Sequence, residues 1–500
     1  MILYHTQLWF ATIMFEKIEK MLMHFRTCFS REKAFEWFVI IVIGIILRTD
    51  LLGLTSVIRS MMIPGTSYTA MMAFFRASSW NLTDLRKKHC RVVKKHIPGL
   101  RKNNRCILVG DGSKGSKEGK YMPGVKKYKQ ESETQSKPEM IFGHLWGCIG
   151  LLTIINGQIS CTPMTNKIHD GLQGMEKWDA WEDHDFSVDS HVVQILRDAC
   201  NVADYLEDDA TLLLDRYYLS RPALLTLDEH NKQEHRKSYV HMIVKARRTT
   251  TGFKQLPKEK SEVPKQGRPR KKGDKVVLWD LFETEVPNFR KTTIRLYGRR
   301  REVSYYCIDL LWHPRLLRKL RFVLSVLDTG EKSIFATTDL SMHPVDVIRH
   351  YSYRQLIETG FRAMKQNVGS FAYHFWTKAL PELNRFKKKE EQSSLYKVTN
   401  KKDQKRILDT IEATEMFMLL SMTAVSILHA LTVFTRDPAI RKKLRYQRTP
   451  ATVRPSEDNM MVLLRSIFWR MIEKHPQSPI TTIIKRKQKN IWNDIDLFAA

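Results

Sequence analysis

Six residues have the types and spacings that metal-ion and phosphate chemistry requires. Asp111 and Asp215 each follow an apolar run, ILVG before the first and LLL before the second. Such runs read as buried strands, and a carboxylate at the C-terminal end of a strand in an α/β sheet faces the crevice where ligands bind. Each Asp also suits the plainer role of capping a turn after its strand. In YSYRQLIETGFRAMK, Tyr351, Arg354, Glu358 and Lys365 stand at offsets of three, seven and fourteen residues. At about 100° per residue these four fall within roughly 60° of one another on a single helix face. An aromatic hydroxyl, two cations and a carboxylate make a poor core face but a sensible surface for gripping a phosphate beside a metal. As a merely solvated face, the same stripe would carry an Arg354–Glu358 or Glu358–Lys365 ion pair.

The elements that must position these residues follow from the pattern around them. Residues 1–105 read as helical, up to the break at Pro98-Gly99. Strands are expected at CILVG (106–110), IFGHLWGCIGLLTI (141–154) and QISCTPM (158–164), with Asn156-Gly157 as a hairpin turn between the last two. A helix at 191–206, a strand at 210–215, a helix at 221–233 and a strand at 239–246 come next. Three strands, helix, strand, helix, strand, helix is the succession expected of an RNase H-like α/β core. A basic, β-rich insertion at about 247–320 interrupts it. The insertion opens on the polar linker KQLPKEKSEVPKQGRPRKKGDK and includes the strand-like pieces VVLWDLF and VSYYCIDLLW. Strands resume at RFVLSVLD and SIFATTD, and a long helix is expected from Pro344, which suits a first helical position. Beyond Pro381 the chain reads as helical and basic. The expected organisation is therefore a helical N-terminal region (1–105), a catalytic domain (106–380) and a helical C-terminal region (381–500).

Composition narrows the partners. Eighty-three Lys and Arg against 53 acidic residues leave a net charge of +30, which calls for nucleic acid or an anionic membrane surface. The seven cysteines are an odd number with no CxxC pair, so neither a disulfide scaffold nor a zinc finger is indicated. The run WFVIIVIGIIL (37–47) falls short of the roughly 18 residues a bilayer span needs. The run at 416–434 is long enough but holds Ser421, Thr423, Ser426, His429 and Thr432. Both read as buried helices of a soluble, intracellular protein.

With these residues in view, the chain resembles the DDE-type insertion-sequence transposases marked by a Tyr-x2-Arg-x3-Glu-x6-Lys signature. Tyr351, Arg354, Glu358 and Lys365 match that signature without a spacing error. The similarity continues in GDGSK (110–114), KEGKYMPGVKKYKQESE (117–133), SKPEMIFGHLWG (136–147), LLLDRYY (212–218) and FATTDLS (335–341), spanning about 106–380. The resemblance implies that Asp111, Asp215 and Glu358 are catalytic and hold two divalent cations, Mg²⁺ or Mn²⁺. Hard oxygen ligands suit Mg²⁺, and two such ions serve the attacking and leaving oxygens of an in-line displacement. It further implies that Tyr351, Arg354 and Lys365 bind the phosphate of the transferred DNA end. The reaction implied is hydrolysis at the element end, then attack of the freed 3′-OH on target DNA. The implied partners are the terminal inverted repeats, target DNA and a second copy of the chain, with no membrane, in a bacterial cytoplasm at the nucleoid.

Weaker features flank this set. GRPRK (267–271) resembles a minor-groove AT-hook core but equally suits a basic linker. Trp279 and Trp312 are candidates for stacking on a flipped base, or core residues. Lys114, Lys117, Lys120, Lys126 and Lys127 read as DNA-backbone contacts or a solvated charge run. The alternatives to a transposase are a catalytically inactive DNA-binding derivative, another RNase H-like nuclease such as a resolvase, and a membrane-surface protein.

Overall fold

A computed structural model describes residues 2–130, 139–155, 157–256, 270–383, 394–433 and 455–495. Most of the KQLPKEKSEVPKQGRPRKKGDK linker and the first part of GRPRK lie outside these, as do parts of the KEGKYMPGVKKYKQESE and SKPEMIFGHLWG segments. The protein is mixed α/β. In chain order, helices α1 (Ile2–Met23), α2 (Glu32–Leu47), α3 (Gly53–Met61), α4 (Ser67–Phe74) and α5 (Leu82–His96) precede strands β1 (Arg101–Lys102), β2 (Arg105–Ser116), β3 (Lys126–Lys129), β4 (Met140–Ile155) and β5 (Gln158–Ile168). Next come α6 (His191–Leu206), β6 (Ala210–Leu214), α7 (Arg221–Lys232), β7 (Val240–Lys245), β8 (Thr251–Phe253), β9 (Lys275–Val277) and α8 (Leu281–Thr284). Then follow β10 (Arg290–Leu296), β11 (Arg299–Trp312), β12 (Arg318–Leu327), β13 (Lys332–Thr337), α9 (Pro344–Tyr351) and α10 (Leu356–Arg362). The last helices are α11 (Lys401–Leu431), α12 (Glu457–Lys474) and α13 (Pro479–Ile495).

The chain forms two compact units, each discontinuous in sequence. One comprises residues 101–111 and 195–357 and is built on a large mixed sheet. Its centre is parallel: Cys106–Val109 of β2 pairs with Ala210–Leu213 of β6, and Ala210–Leu214 pairs with Val240–Val244 of β7. Every residue of β6 is buried, as a strand covered on both faces requires. From β7 the sheet turns antiparallel through β13, β12 and β11, with β8 and β10 both pairing with β11 and β9 pairing with β8. The expected strand VVLWDLF is only partly one. It ends at Val277, and Leu281–Thr284 forms a helical turn in which Glu283 and Thr284 N–H groups donate to the Asp280 carbonyl.

The other unit comprises residues 1–100, 112–194 and 358–500. The β4–β5 hairpin turns at Gly157, which takes a φ of 77° that glycine adopts without strain. Helix α2 is buried from Ala34 to Leu47, on every face rather than one stripe, which marks a central core helix. Gly44 admits α3 closely, since a Cβ there would lie 2.5 Å from Val57 Cγ1. Arg48 ends α2 fully buried, and its guanidinium donates to the carbonyls of Gly53, Val368 and Gly369 and to Ser56 Oγ. Helix α11 is the one described helix long and apolar enough to cross a membrane, and 94% of its apolar window is buried inside the protein. Its Glu415 receives Arg86 at 2.6 Å and the Ile168 N–H at 2.7 Å, so both charges are paired where water does not reach.

A buried ion pair also closes the base of the parallel strands. Arg105, at the start of β2, binds Asp339, just beyond β13. Burial pushes the Asp339 carboxyl up, but hydrogen bonds from Ser341 and Arg105 outweigh it and hold the group at about 2. A depressed folded-state value stabilises the protein above the ordinary carboxylate range, and that stability is lost as pH falls through about 2. Asp339→Asn is therefore expected to cost about 2 kcal/mol at pH 7 and roughly half that at pH 3, read from urea unfolding of both proteins at each pH.

Candidate functional site

Asp111 and Asp215 are brought level by strand register. The parallel pairing sets each β2 residue opposite the β6 residue 104 positions later, since 213 − 109 = 104 for the pair Val109–Leu213. The same offset joins Asp111 to Asp215, because 215 − 111 = 104. Neighbouring strands lie about 4.8 Å apart, so the two aspartates stand at the same level, each two residues past a fully buried apolar residue of the Val109–Leu213 pair.

Their local settings differ from the expected pair of strand-end carboxylates. Asp215 does follow the end of β6, and its Oδ1 accepts the Arg216 N–H at 2.7 Å as the cap of a 3₁₀ turn. Asp111 lies within β2, which continues to Ser116. It marks the level at which the β6 partner stops, not the end of its own strand. Gly112 follows because a Cβ there would meet His191 Nε2 at 2.7 Å, and His191 Nδ1 stands 3.0 Å from His169 Nδ1. This histidine pair beside GDGSK went unnoticed in the sequence, where neither residue sits in a recognisable motif.

Tyr351 and Arg354 complete the cluster in the same unit. Arg354 Nη2 donates to Asp111 Oδ2 at 2.5 Å, with both side chains largely buried. Tyr351 packs on Phe335 of β13 with ring centroids 4.8 Å apart. Its hydroxyl is pushed well above the ordinary tyrosine range, first by burial and then by the charge of Asp215, with Asp111 adding to it. Tyr351 is therefore a neutral phenol at physiological pH, within the field of two carboxylates.

Glu358 and Lys365 lie beyond the break between the units, and both are exposed. The expectation of one long helix with four residues on one face does not hold. Helix α9 ends at Tyr351, residues 352–355 form turns, α10 runs from Leu356 to Arg362, and Ala363–Asn367 is a π-helix. The cause is local. Ser352 Oγ takes the Arg349 carbonyl at 2.7 Å, while the Tyr353 and Arg354 N–H groups bond only three residues back. Farther on, Val368 N–H reaches five back to Ala363. Each change of winding resets the angle per residue, so the spacing from 351 to 365 does not map onto one stripe.

The basic segment after Asp111 needs a correction at one residue. Lys117 is buried, its ammonium donates to the Phe371 and Tyr373 carbonyls, and it lies 3.6 Å from the Tyr373 ring centroid. Desolvation lowers it to about 8. It fastens the segment after the π-helix and presents no charge to a polyanion. Lys126 is paired with Asp170 and Lys120 with Glu382, both at exposed positions. Trp279 is half-buried with the Arg248 guanidinium 4.3 Å from its ring centroid.

Chemically, the cluster offers two adjacent carboxylates, a neutral phenol and a guanidinium. The carboxylate oxygens are the hard donors that Mg²⁺ and Mn²⁺ take. The Arg354 guanidinium already holds one Asp111 oxygen, so it would compete with a cation there. No family model and no curated protein matches the chain. If Arg354 competes as the geometry indicates, Arg354→Gln tightens Mn²⁺ binding about fivefold, the equivalent of one part-buried ion pair of about 1 kcal/mol. Electron paramagnetic resonance of free Mn²⁺ measures it, and unchanged or weaker affinity would count against that role.

Proposed function

We propose that the chain is a DNA transposase of the DDE type, with Asp111, Asp215 and Glu358 as its catalytic carboxylates. The observation that carries the reading is the shared register level of Asp111, on β2, and Asp215, just past the adjacent parallel β6, with Arg354 bound to Asp111 and the Tyr351 hydroxyl within the field of both carboxylates. Glu358 enters through its place in the Tyr-x2-Arg-x3-Glu-x6-Lys spacing, four residues after Arg354 along the chain. The strand pairings support an RNase H-like core: β2, β6 and β7 run parallel in one unit, and β4 pairs with β5 in the other, with β2, β4 and β5, leaving aside the short β1 and β3, followed by helix, strand, helix, strand. The surplus of +30 supports a polyanionic partner.

On this reading the three carboxylates hold two Mg²⁺ or Mn²⁺ ions, which supply Lewis-acid activation of the attacking oxygen and charge stabilisation of the leaving one. The chain's own residues do the rest. Tyr351 donates a hydrogen bond without ionising, Arg354 moves from the Asp111 carboxylate to a phosphate oxygen of the DNA end, and Lys365 adds a second cation to that end. The substrates are element termini and target DNA, and a second copy of the chain completes the complex.

The test uses DNA flanking the gene as the element end, with supercoiled plasmid as target. Cleavage and joining that require Mg²⁺ or Mn²⁺ and fall by about 10³-fold or more in Asp215→Ala, with DNA binding retained, are the expected outcome. Binding without any cleavage would favour the inactive DNA-binding derivative. Cleavage without joining would favour a nuclease of the same fold, and cleavage indifferent to Asp215→Ala would remove the site altogether.

A further inference from the structure

We infer a second metal site, for one transition-metal ion of the Zn²⁺ type, formed by His184, Asp409 and Glu412. It belongs to the unit that holds α11, shares no residue with the site above and stands independently of the transposase reading. His184 follows the 3₁₀ turn Asp179–Asp183, and its side chain is only 3% exposed. Asp409 and Glu412 lie three residues apart on α11 and therefore on one face. His184 Nε2 is 3.7 Å from Asp409 Oδ1 and Nδ1 is 3.6 Å from Glu412 Oε2.

The imidazole is what points to a ligand. Both ring nitrogens are buried and neither has a hydrogen-bond partner, although each faces a carboxylate. Leaving two polar atoms unsatisfied in this way is costly. Both gaps are too long for hydrogen bonds; one ion takes only one of the two ring nitrogens, and the separation of that nitrogen from the carboxylate it faces matches the spacing between ligands around a cation. Zn–N and Zn–O bonds of about 2.1 Å put neighbouring ligand atoms of a tetrahedral site roughly 3.4 Å apart. The three ligand atoms all lie within 4.8 Å of one another. One nitrogen and two carboxylate oxygens form a donor set suited to Zn²⁺, with a fourth position for water.

The surroundings agree. Phe186 stacks on the His184 ring at 5.1 Å and fixes its plane. The cluster opens on a cavity of about 570 Å³ that Cys28, Ser79, Asn81 and Asp183 also line, giving an ion and its water a path in. Nearby cations are already committed: Arg86 and Lys167 both pair with Asp185. Lys405 touches the cluster, its ammonium 2.8 Å from Asp409 Oδ1. An ion taking that oxygen displaces Lys405, whereas one taking the other oxygen of Asp409 leaves it in place. Bound, the metal ties the 179–184 segment to α11.

The test is a titration of the full chain, stripped by chelator and held in millimolar Mg²⁺, with Zn²⁺ against a chromophoric competitor. Expected is one equivalent bound with submicromolar affinity, a rise in Tm on binding, and visible absorption from four-coordinate Co²⁺ in its place. His184→Gln and Glu412→Gln are each expected to lose at least about tenfold in affinity, Lys405→Met to gain several-fold, and Asp215→Asn to keep the equivalent. Circular dichroism establishes that the variants fold, and Glu412→Gln, on a partly exposed helix face, is the safer of the two. Absence of a tight equivalent in the wild-type chain, or the same affinity in Glu412→Gln, overturns the site.

Discussion

The parallel pairing of β2 with β6 is the constraint on which the candidate site depends. Side chains alternate across a strand, so sliding β2 by one residue would turn Ile107 and Val109 to the opposite face and exchange them with Leu108. Cys106–Val109 and Ala210–Leu214 are all buried, so such a slip from the observed register would have to repack the core on both faces of the sheet. Asp111 and Asp215 inherit that register two residues later. Their adjacency needs no attraction between them; two like charges are held side by side by the apolar residues that precede them. Arg354 against Asp111 offsets part of the repulsion, and the neutral Tyr351 hydroxyl lines the same space.

Charge in this protein serves two ends that composition alone does not separate. Arg48, Arg86 and Lys117 contribute to the basic total, yet all three are buried and spent on carbonyls or on a buried carboxylate. Each closes backbone or acidic groups that would otherwise be stranded away from water. They hold α2, α11 and the segment after the π-helix in their own unit. Cations on the surface are the ones that would face the proposed polyanion, and there the local ion pairs of Lys120 and Lys126 are weak, screened contacts.

The winding of residues 344–370 links fold to site. Ser352 interrupts the helix by bonding the Arg349 carbonyl, and the π-helix at 363–367 changes the pitch again. With these irregularities Tyr351 packs on Phe335 of β13 and Arg354 binds Asp111, while Glu358 and the residues after it belong to the other unit. A regular helix would turn the residues of the signature through fixed increments. The observed path gives them separate placements, as is common where a side chain must be aimed.

Much of the frame was legible in the sequence because short-range rules dominate it. The strands flanking Asn156-Gly157, the helices at 191–206 and 221–232 and the strand before Asp215 follow from apolar periodicity and turn residues, which act over a few neighbours. Tertiary structure decided the rest. Asp111 sits inside a strand because β2 runs on to Ser116 past the last residues it pairs with β6, a matter of pairing between distant segments. Lys117 is buried because carbonyls some 250 residues away in the chain receive it, and His184 meets Asp409 and Glu412 only where α11 packs. No local pattern encodes such encounters, since the partners are chosen by burial and by the need to satisfy each polar group, not by spacing along the chain.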